Sequence, residues 1–305
     1  MAELSENDMP SPTRNCEESM DFRYFEEENY QAVCDFLIAL NQQDKTHINW
    51  NWARWEWMYC HPYLDRDQLS AIGLWFDESR IVGAAIYDLF LGEAFCGALE
   101  GYEYLLPEIM EYTHRNLKDD NGLGIAVHDG DTKMQTLLSK LGYRKADQTE
   151  TILCRDLAQE IPCELPKGFT LRDIRFPEDN LAYQTVIWKG FDHEGDDAEL
   201  EKMLQNKVLP PNRRRELCLA VVDEHGEFAA HCTCWFDPRT DYAYVEPVCT
   251  IPKYRALGLG KAVVSAALNR CRKLGAEEAF VISEQEFYRK LGFEPHSHYT
   301  FYWKT

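Results

Sequence analysis

The sequence predicts two α/β domains in tandem, and three observations carry that reading. The chain has 305 residues, about twice the ~150 of an ordinary domain, so each half is long enough to bury a core. Leu141-Gly142-Tyr143 returns 150 positions later as Leu291-Gly292-Phe293, and Phe76-Asp77-Glu78 and Val222-Asp223-Glu224 occupy matching hairpins. Each half also alternates strand-type and helix-type segments in the same order. A period of this length marks duplicated domains, because solenoid repeats run only ~20–50 residues.

In the first half, residues 1–19 read as a polar extension. Phe22–Phe25 is a short strand. Glu27–Asn41 is an amphipathic helix with Val33, Phe36, Leu37 and Leu40 at helical spacing. An aromatic stretch, His47–Pro62, carries Trp50, Trp52, Trp55 and Trp57. Gln68–Phe76 and Arg80–Asp88 are strands around an Asp77-Glu78-Ser79 turn. Tyr104–Asn116 is a helix with Pro107 near its first turn, where the missing N–H does no harm. Gly124–His128 is a strand, Asp131 caps a helix that Gly142 stops, and Thr149–Arg155 is a final strand.

Residues 157–167, with two prolines, read as a linker. The order then recurs: strand Phe169–Ile174, helix Pro177–Trp188, a polar loop with a second helix to Leu209, and strands Leu217–Asp223 and Phe228–Trp235 about a Glu-His-Gly turn. Tyr242–Thr250 is a strand, Gly258–Leu274 a helix, Glu278–Ile282 a strand, Gln285–Leu291 a short helix and His298–Trp303 the last strand. The domains expected are therefore 20–156 and 168–305.

Composition narrows the function. Hydrophobic residues make up 45% and charged residues 28%, an ordinary globular mix. No run of 18 apolar residues and no signal-peptide pattern occurs, so the expectation is a cytoplasmic protein without membrane attachment. Eleven scattered cysteines read as reduced thiols. Net charge is −20, with 13 basic and 30 acidic residues in 1–160 against 19 and 22 in 161–305. That balance disfavours nucleic acid, whose phosphates demand a basic surface, and mildly favours a cationic partner. Cys232 and Cys234 after His231 lack a second ligand pair, so no metal is expected.

Chemistry concentrates in Pro247–Ala262. A strand ends near Thr250, a turn contains Pro252, and Arg255-Ala256-Leu257-Gly258-Leu259-Gly260 opens an apolar helix. Strand, glycine turn and helix start together make an anion site, where free N–H groups and the helix dipole converge. Neither a dinucleotide fingerprint nor a Walker loop is present. The stretch resembles the coenzyme A signature of the GNAT N-acetyltransferase superfamily, Arg/Gln-x-x-Gly-x-Gly/Ala, including the upstream run at Val248, Thr250, Pro252 and Tyr254. Phe287-Tyr288-Arg289-Lys290-Leu291-Gly292-Phe293 resembles the family's downstream pattern, and 32 residues separate Gly260 from Gly292. Residues 22–156 look like a degenerate copy, because Gly97-Ala-Leu-Glu-Gly101 stands roughly where the glycine turn belongs and lacks its form.

The resemblance implies a mixed, mostly antiparallel central sheet flanked by helices in each copy, distantly similar to tandem mycothiol-synthase-like proteins. It implies acetyl-CoA as co-substrate, with the acetyl and pantetheine parts on Val248, Cys249 and Thr250. The pyrophosphate would meet the backbone of Arg255, Ala256, Leu257, Gly258, Leu259, Gly260 and Lys261. Tyr288 falls where relatives place the proton donor to leaving coenzyme A. Glu246 shares a strand face with Tyr244, Val248 and Thr250, and so is the candidate base or ammonium-positioning carboxylate. Asp192, Glu194, Asp196 and Asp197 follow the first helix of this copy and are expected to wall a cation-selective acceptor pocket. The tryptophans read chiefly as packing. The function implied is acetyl transfer to a primary amine of a small, cationic acceptor by a monomer or homodimer. A coenzyme A-binding protein without turnover, or an acetyltransferase of protein amines, stands as the alternative.

Overall fold

The structure, a computed structural model, describes residues 20–206 and 208–305. The expected extension at residues 1–19 lies outside them. The first half contains β1 (Asp21–Tyr24), α1 (Tyr30–Gln43), α2 (Trp52–Tyr59), β2 (Gly73–Asp77), β3 (Arg80–Asp88), β4 (Phe90–Ala98), α3 (Leu106–Asn116), β5 (Leu123–His128), α4 (Thr132–Lys140) and β6 (Arg144–Asp156). The second contains β7 (Thr170–Asp173), α5 (Asn180–Gly190), α6 (Asp197–Gln205), β8 (Cys218–Val222), β9 (Phe228–Phe236), β10 (Tyr242–Thr250), α7 (Leu259–Leu274), β11 (Glu278–Ile282), α8 (Glu286–Lys290) and β12 (Glu294–Lys304).

Two local expectations needed correction. Residues 66–71 form a 3-10 turn, so β2 begins at Gly73 and not at Gln68. β4 is absent from the sequence reading, because Gly92 and Gly97 interrupt its apolar pattern. Gly97 is required there, since a Cβ would lie 2.5 Å from the Phe95 ring. Elsewhere local signals act as expected. Asp131 Oδ1 accepts the Met134 N–H at 2.9 Å to cap α4, and Gly142 leaves it with φ +88°.

The twelve strands form one sheet in the order β1-β2-β3-β4-β5-β12-β6-β11-β10-β9-β8-β7. All neighbours are antiparallel except β4–β5 and β10–β11. The halves exchange their last strands. β6 lies between β11 and β12, and β12 lies between β5 and β6. Each parallel pair is short: β4 meets β5 only at Glu93 and Gly124, and β10 meets β11 only over Tyr242–Tyr244. Beyond those points the strands diverge and leave an opening in the sheet.

Side-chain alternation explains the layers of the second half. Leu217, Leu219 and Val221 pack with Val263, Val264 and Leu268 of α7. Cys218, Ala220 and Val222 pack with Val186 and Ile187 of α5 on the other face. The core of the first half extends across the junction to Trp235, Tyr244, Phe280 and Tyr299. Trp50, Trp52 and Trp55 are buried in it, and Trp57 is only half-buried. Among the described residues no helix is long and apolar enough to cross a membrane.

Candidate active site

The divergence of β10 from β11 creates the site. Pro247 lacks a donor, and the register between β10 and β9 shifts between Val245 and Val248, around a cis Glu246–Pro247 peptide. The Trp235 indole N–H donates to the Glu246 carbonyl at 2.6 Å and holds this irregularity. Val248–Thr250 remain paired to β9, while their other edge has no strand partner.

A groove of about 840 Å³ runs along that free edge to the start of α7 and includes Val248, Cys249, Thr250, Arg255, Ala256, Gly258, Leu259, Gly260 and Lys261. Gly258 precedes the helix at φ +81°, a conformation that costs a residue with a Cβ, and a Cβ built there meets nothing within 4 Å. No side chain caps α7. The N–H groups of its first turn therefore lack helical partners and suit a phosphate. Gly260 serves packing instead: a Cβ there would lie 3.1 Å from Thr250 Oγ1 and 3.4 Å from Phe287. These residues fit coenzyme A at the level of donor chemistry, since an uncapped helix start faces an open groove. Leu257 does not line the groove and is 48% exposed.

The Arg255 side chain is engaged along one edge. It donates to Thr250 O at 3.1 Å, to Gly190 O at 3.0 Å and to both Asp192 oxygens at 2.9 and 3.0 Å. It ties the end of α5 to the glycine turn. Cys249 faces α5, where its thiol donates to Val186 O at 3.4 Å. Burial pushes that thiol up to about 12, so Cys249 offers only its main chain.

A second cavity, of about 440 Å³, meets the groove at Phe191, Val248, Gln285 and Tyr288. Tyr288 thus stands where the two join. Its ring packs edge-on against Phe287 and Phe293, and burial raises its phenol well above the ordinary value. It therefore holds its proton near neutral pH. Glu246 lines the second cavity, and its carboxyl is pushed up to about 7, first by burial. The Arg54 cation and a hydrogen bond from Tyr244 oppose that rise, whereas Asp88 and Glu150 add to it. Arg54 is engaged by Asp88 and, at 2.9 Å, by Glu150. Burial, with Asp88 and Glu150 sharing the Arg54 guanidinium, keeps Glu246 from ionising as easily as an exposed glutamate.

The acidic loop does not form the expected wall. Glu194, Asp196 and Asp197 are exposed and line neither cavity. Asp196 caps α6 by accepting the Glu199 N–H at 3.0 Å, and Asp192 pairs with Arg255. A short polar loop ahead of a helix spends its carboxylates on helix ends. The loop and α6 give the cavity His193 and Glu199 instead, which pair at 3.1 Å.

Several residues of the cavity went unrecognised in the sequence. Trp57, Cys60, His61, Pro62 and Tyr63, from α2 and the turn after it, line it from the first half. Arg54 and Glu150 stand 96 positions apart and share no motif. The corresponding cavity of the first half, about 530 Å³, is lined by Asp44, Glu100, Glu103 and Asp131 with Lys133. There the Glu103 carboxylate accepts the Gly101 N–H at 2.8 Å, and Pro107 removes an N–H from the first turn of α3. Among the described residues no cluster of metal-ligating side chains occurs.

Comparison with known proteins accords with this geometry. Residues 181–293 match the family model described as acetyltransferase (GNAT) family. No curated protein matches the chain. A tandem GNAT protein from the clavulanic acid biosynthesis pathway superposes with a TM-score of 0.58 at 14% identity, covering 94% of this chain and 98% of that one. A GCN5-related N-acetyltransferase from Sphaerobacter thermophilus gives 0.53 at 15% identity, over 93% and 95%. Saccharomyces cerevisiae N-myristoyltransferase with bound myristoyl-CoA gives 0.52 at 12% identity, over 98% and 80%. At such identities the likeness is one of fold.

Proposed function

On the premise that residues 181–293 belong to the acetyltransferase (GNAT) family, within a chain that has a tandem GNAT fold, we propose that the protein moves an acetyl group from acetyl-CoA to the primary amine of a small acceptor. The observation that carries this reading is the meeting of two cavities at Val248 and Tyr288, with Glu246 lining the second. The groove at the start of α7 accommodates coenzyme A and the second cavity the amine. When bound, acetyl-CoA supplies an activated thioester. The free edge of Val248–Thr250 orients the acyl end.

An amine enters mostly as its ammonium, and attack requires the neutral form. The Glu246 carboxylate removes that proton, and a base near 7 is matched to neutral pH. Tyr288 Oη holds the proton that the departing thiolate takes up. The approaching ammonium is cationic, and Glu246, with Asp88 and Glu150 behind it, favours that charge at the reacting end. A cavity of about 440 Å³ suits a small molecule.

The test is release of free coenzyme A from acetyl-CoA in the presence of a panel of small amines, amino acids and lysine peptides, with acetylated product identified by mass. Amine-dependent release supports the reading. Tight acetyl-CoA binding without release for any amine would favour a coenzyme A-binding protein without turnover.

A further inference from the structure

The acceptor cavity holds an arginine that this chemistry does not use. Arg213 lines it and is half-buried. Its guanidinium carbon lies 3.9 Å from the ring centroid of Phe176 and 6.0 Å from that of Tyr183. Stacking occupies the face of a guanidinium and leaves its in-plane N–H donors available. Among the described residues, no group accepts a hydrogen bond from that side chain or forms an ion pair with it. Nearby arginines are engaged: Arg172 by Asp179, Arg214 by Glu216, Arg255 by Asp192 and Arg270 by Asp173. Arg213 thus lines the cavity as a cation without an ion-pair partner among the described residues, although its charge also reaches the buried Glu56 carboxyl and lowers its pKa.

Its placement is fixed from the other half of the chain. Glu56 of α2 is fully buried, and its two oxygens accept the Asn212 N–H at 3.2 and 3.3 Å. The Asn212 side-chain amide also donates to Glu56, and the Asn206 amide donates to Cys60 O at 2.8 Å. Asn212, the residue before Arg213, is thus anchored on the first half, and so is Asn206 at the end of α6. A guanidinium held in this way matches a carboxylate through two parallel N–H···O bonds.

We propose that Arg213 binds a carboxylate of the acceptor, which makes the acceptor an amino carboxylic acid with its ammonium toward Glu246 and its carboxylate on Arg213. Ile187, Met203 and Leu209 border the cavity and receive an apolar side chain. This inference rests on the second cavity being the acceptor site.

The experiment compares phenylalanine with phenethylamine, and leucine with 3-methylbutylamine. Each pair keeps its ammonium at neutral pH and differs only in the carboxylate. Wild-type protein should favour the acid by about tenfold to hundredfold in kcat/KM, the scale of a charge-assisted hydrogen-bonded pair. Arg213→Gln should bring the ratio to about one while acetyl-CoA still binds in calorimetry, which also reports that the variant is folded. Arg213→Lys should recover part of the preference. Equal or better turnover of the decarboxylated amines by wild type, or a preference that survives Arg213→Gln, overturns the inference and leaves the transferase reading intact. If no amine is acetylated, calorimetry of the same four compounds in the presence of coenzyme A decides. Binding of the acids by wild type and not by Arg213→Gln sustains the carboxylate site while the transferase reading fails. Binding of none overturns both.

Discussion

Glu246→Gln should lower kcat/KM by ~10²–10⁴, the scale of lost general-base assistance, and should also erase the acid limb of the pH profile. With a pKa of about 7, Glu246 is about 9% ionised at pH 6 and about 91% at pH 8, so wild-type kcat/KM should rise about tenfold across that interval. The sign follows from the role: the base works as the carboxylate, and a raised pKa moves loss of activity up to the window below about 7. A glutamate near its ordinary 4.5 would give a flat line between pH 6 and 8. The charges facing Glu246 supply a second arm. Glu150→Gln removes a neighbouring negative charge and should move the limb to lower pH. Arg54→Met removes the opposing cation and should move it to higher pH. The assay is coenzyme A release at saturating acetyl-CoA and low amine, with an acceptor that stays an ammonium throughout. A flat wild-type profile, or a limb that persists in Glu246→Gln, refutes the reasoning.

Tyr288→Phe removes only the hydroxyl at the junction of the cavities and should lower kcat by ~10²–10⁴ with little change in acetyl-CoA affinity, as read by single-turnover kinetics and calorimetry. Calorimetry should also give one acetyl-CoA per chain, because the start of α3 lacks the glycine turn and Pro107 removes an N–H from its first turn. Gly258→Glu should abolish that binding, since it combines a φ of +81° with like charge beside the phosphates. Glu56 is buried and its carboxyl is pushed up to about 7, mainly by burial and against the Asn212 hydrogen bonds. Its stabilising contribution is therefore complete below pH 4.5 and lost as pH rises through about 7, amounting to about 3 kcal/mol. Tm should fall between about pH 4.5 and 7, and the slope there should be visibly shallower in Glu56→Gln; an unchanged slope would assign the loss to other groups.

The sequence made the elements legible where local chemistry decides them. Asp131, Pro107, Gly142 and Gly258 mark turns and helix ends through their own backbone preferences, and each acts at the position expected. β4 was invisible because its two glycines answer to neighbours: Gly92 faces Asp119, and Gly97 faces Phe95 and Leu40. The acidic loop misled for a related reason. A carboxylate count reports charge and not direction, and Asp192 and Asp196 turned to Arg255 and to the start of α6.

What the sequence could not carry is the dependence of the second half on the first. The motifs that resemble the GNAT signature lie wholly within Pro247–Phe293, so in the sequence the first half looks like a degenerate copy. Strand exchange changes its standing. β6 is wedged between β11 and β12, which places Glu150 beside Arg54 and, through it, beside Glu246. α2 supplies Trp57 to one cavity wall and Glu56 to the segment that presents Arg213. Hydrophobic pattern specifies which face of a strand is buried, but not which half of a duplicated chain supplies its neighbour, because either pairing buries the same residues. A copy without a glycine turn at its helix start can lose every coenzyme contact and still be retained by the shared sheet and by the residues it contributes to the other half's cavity. Substitutions at Arg54, Glu56 and Glu150 therefore belong with those at Glu246 and Arg213, although the sequence places them in different domains.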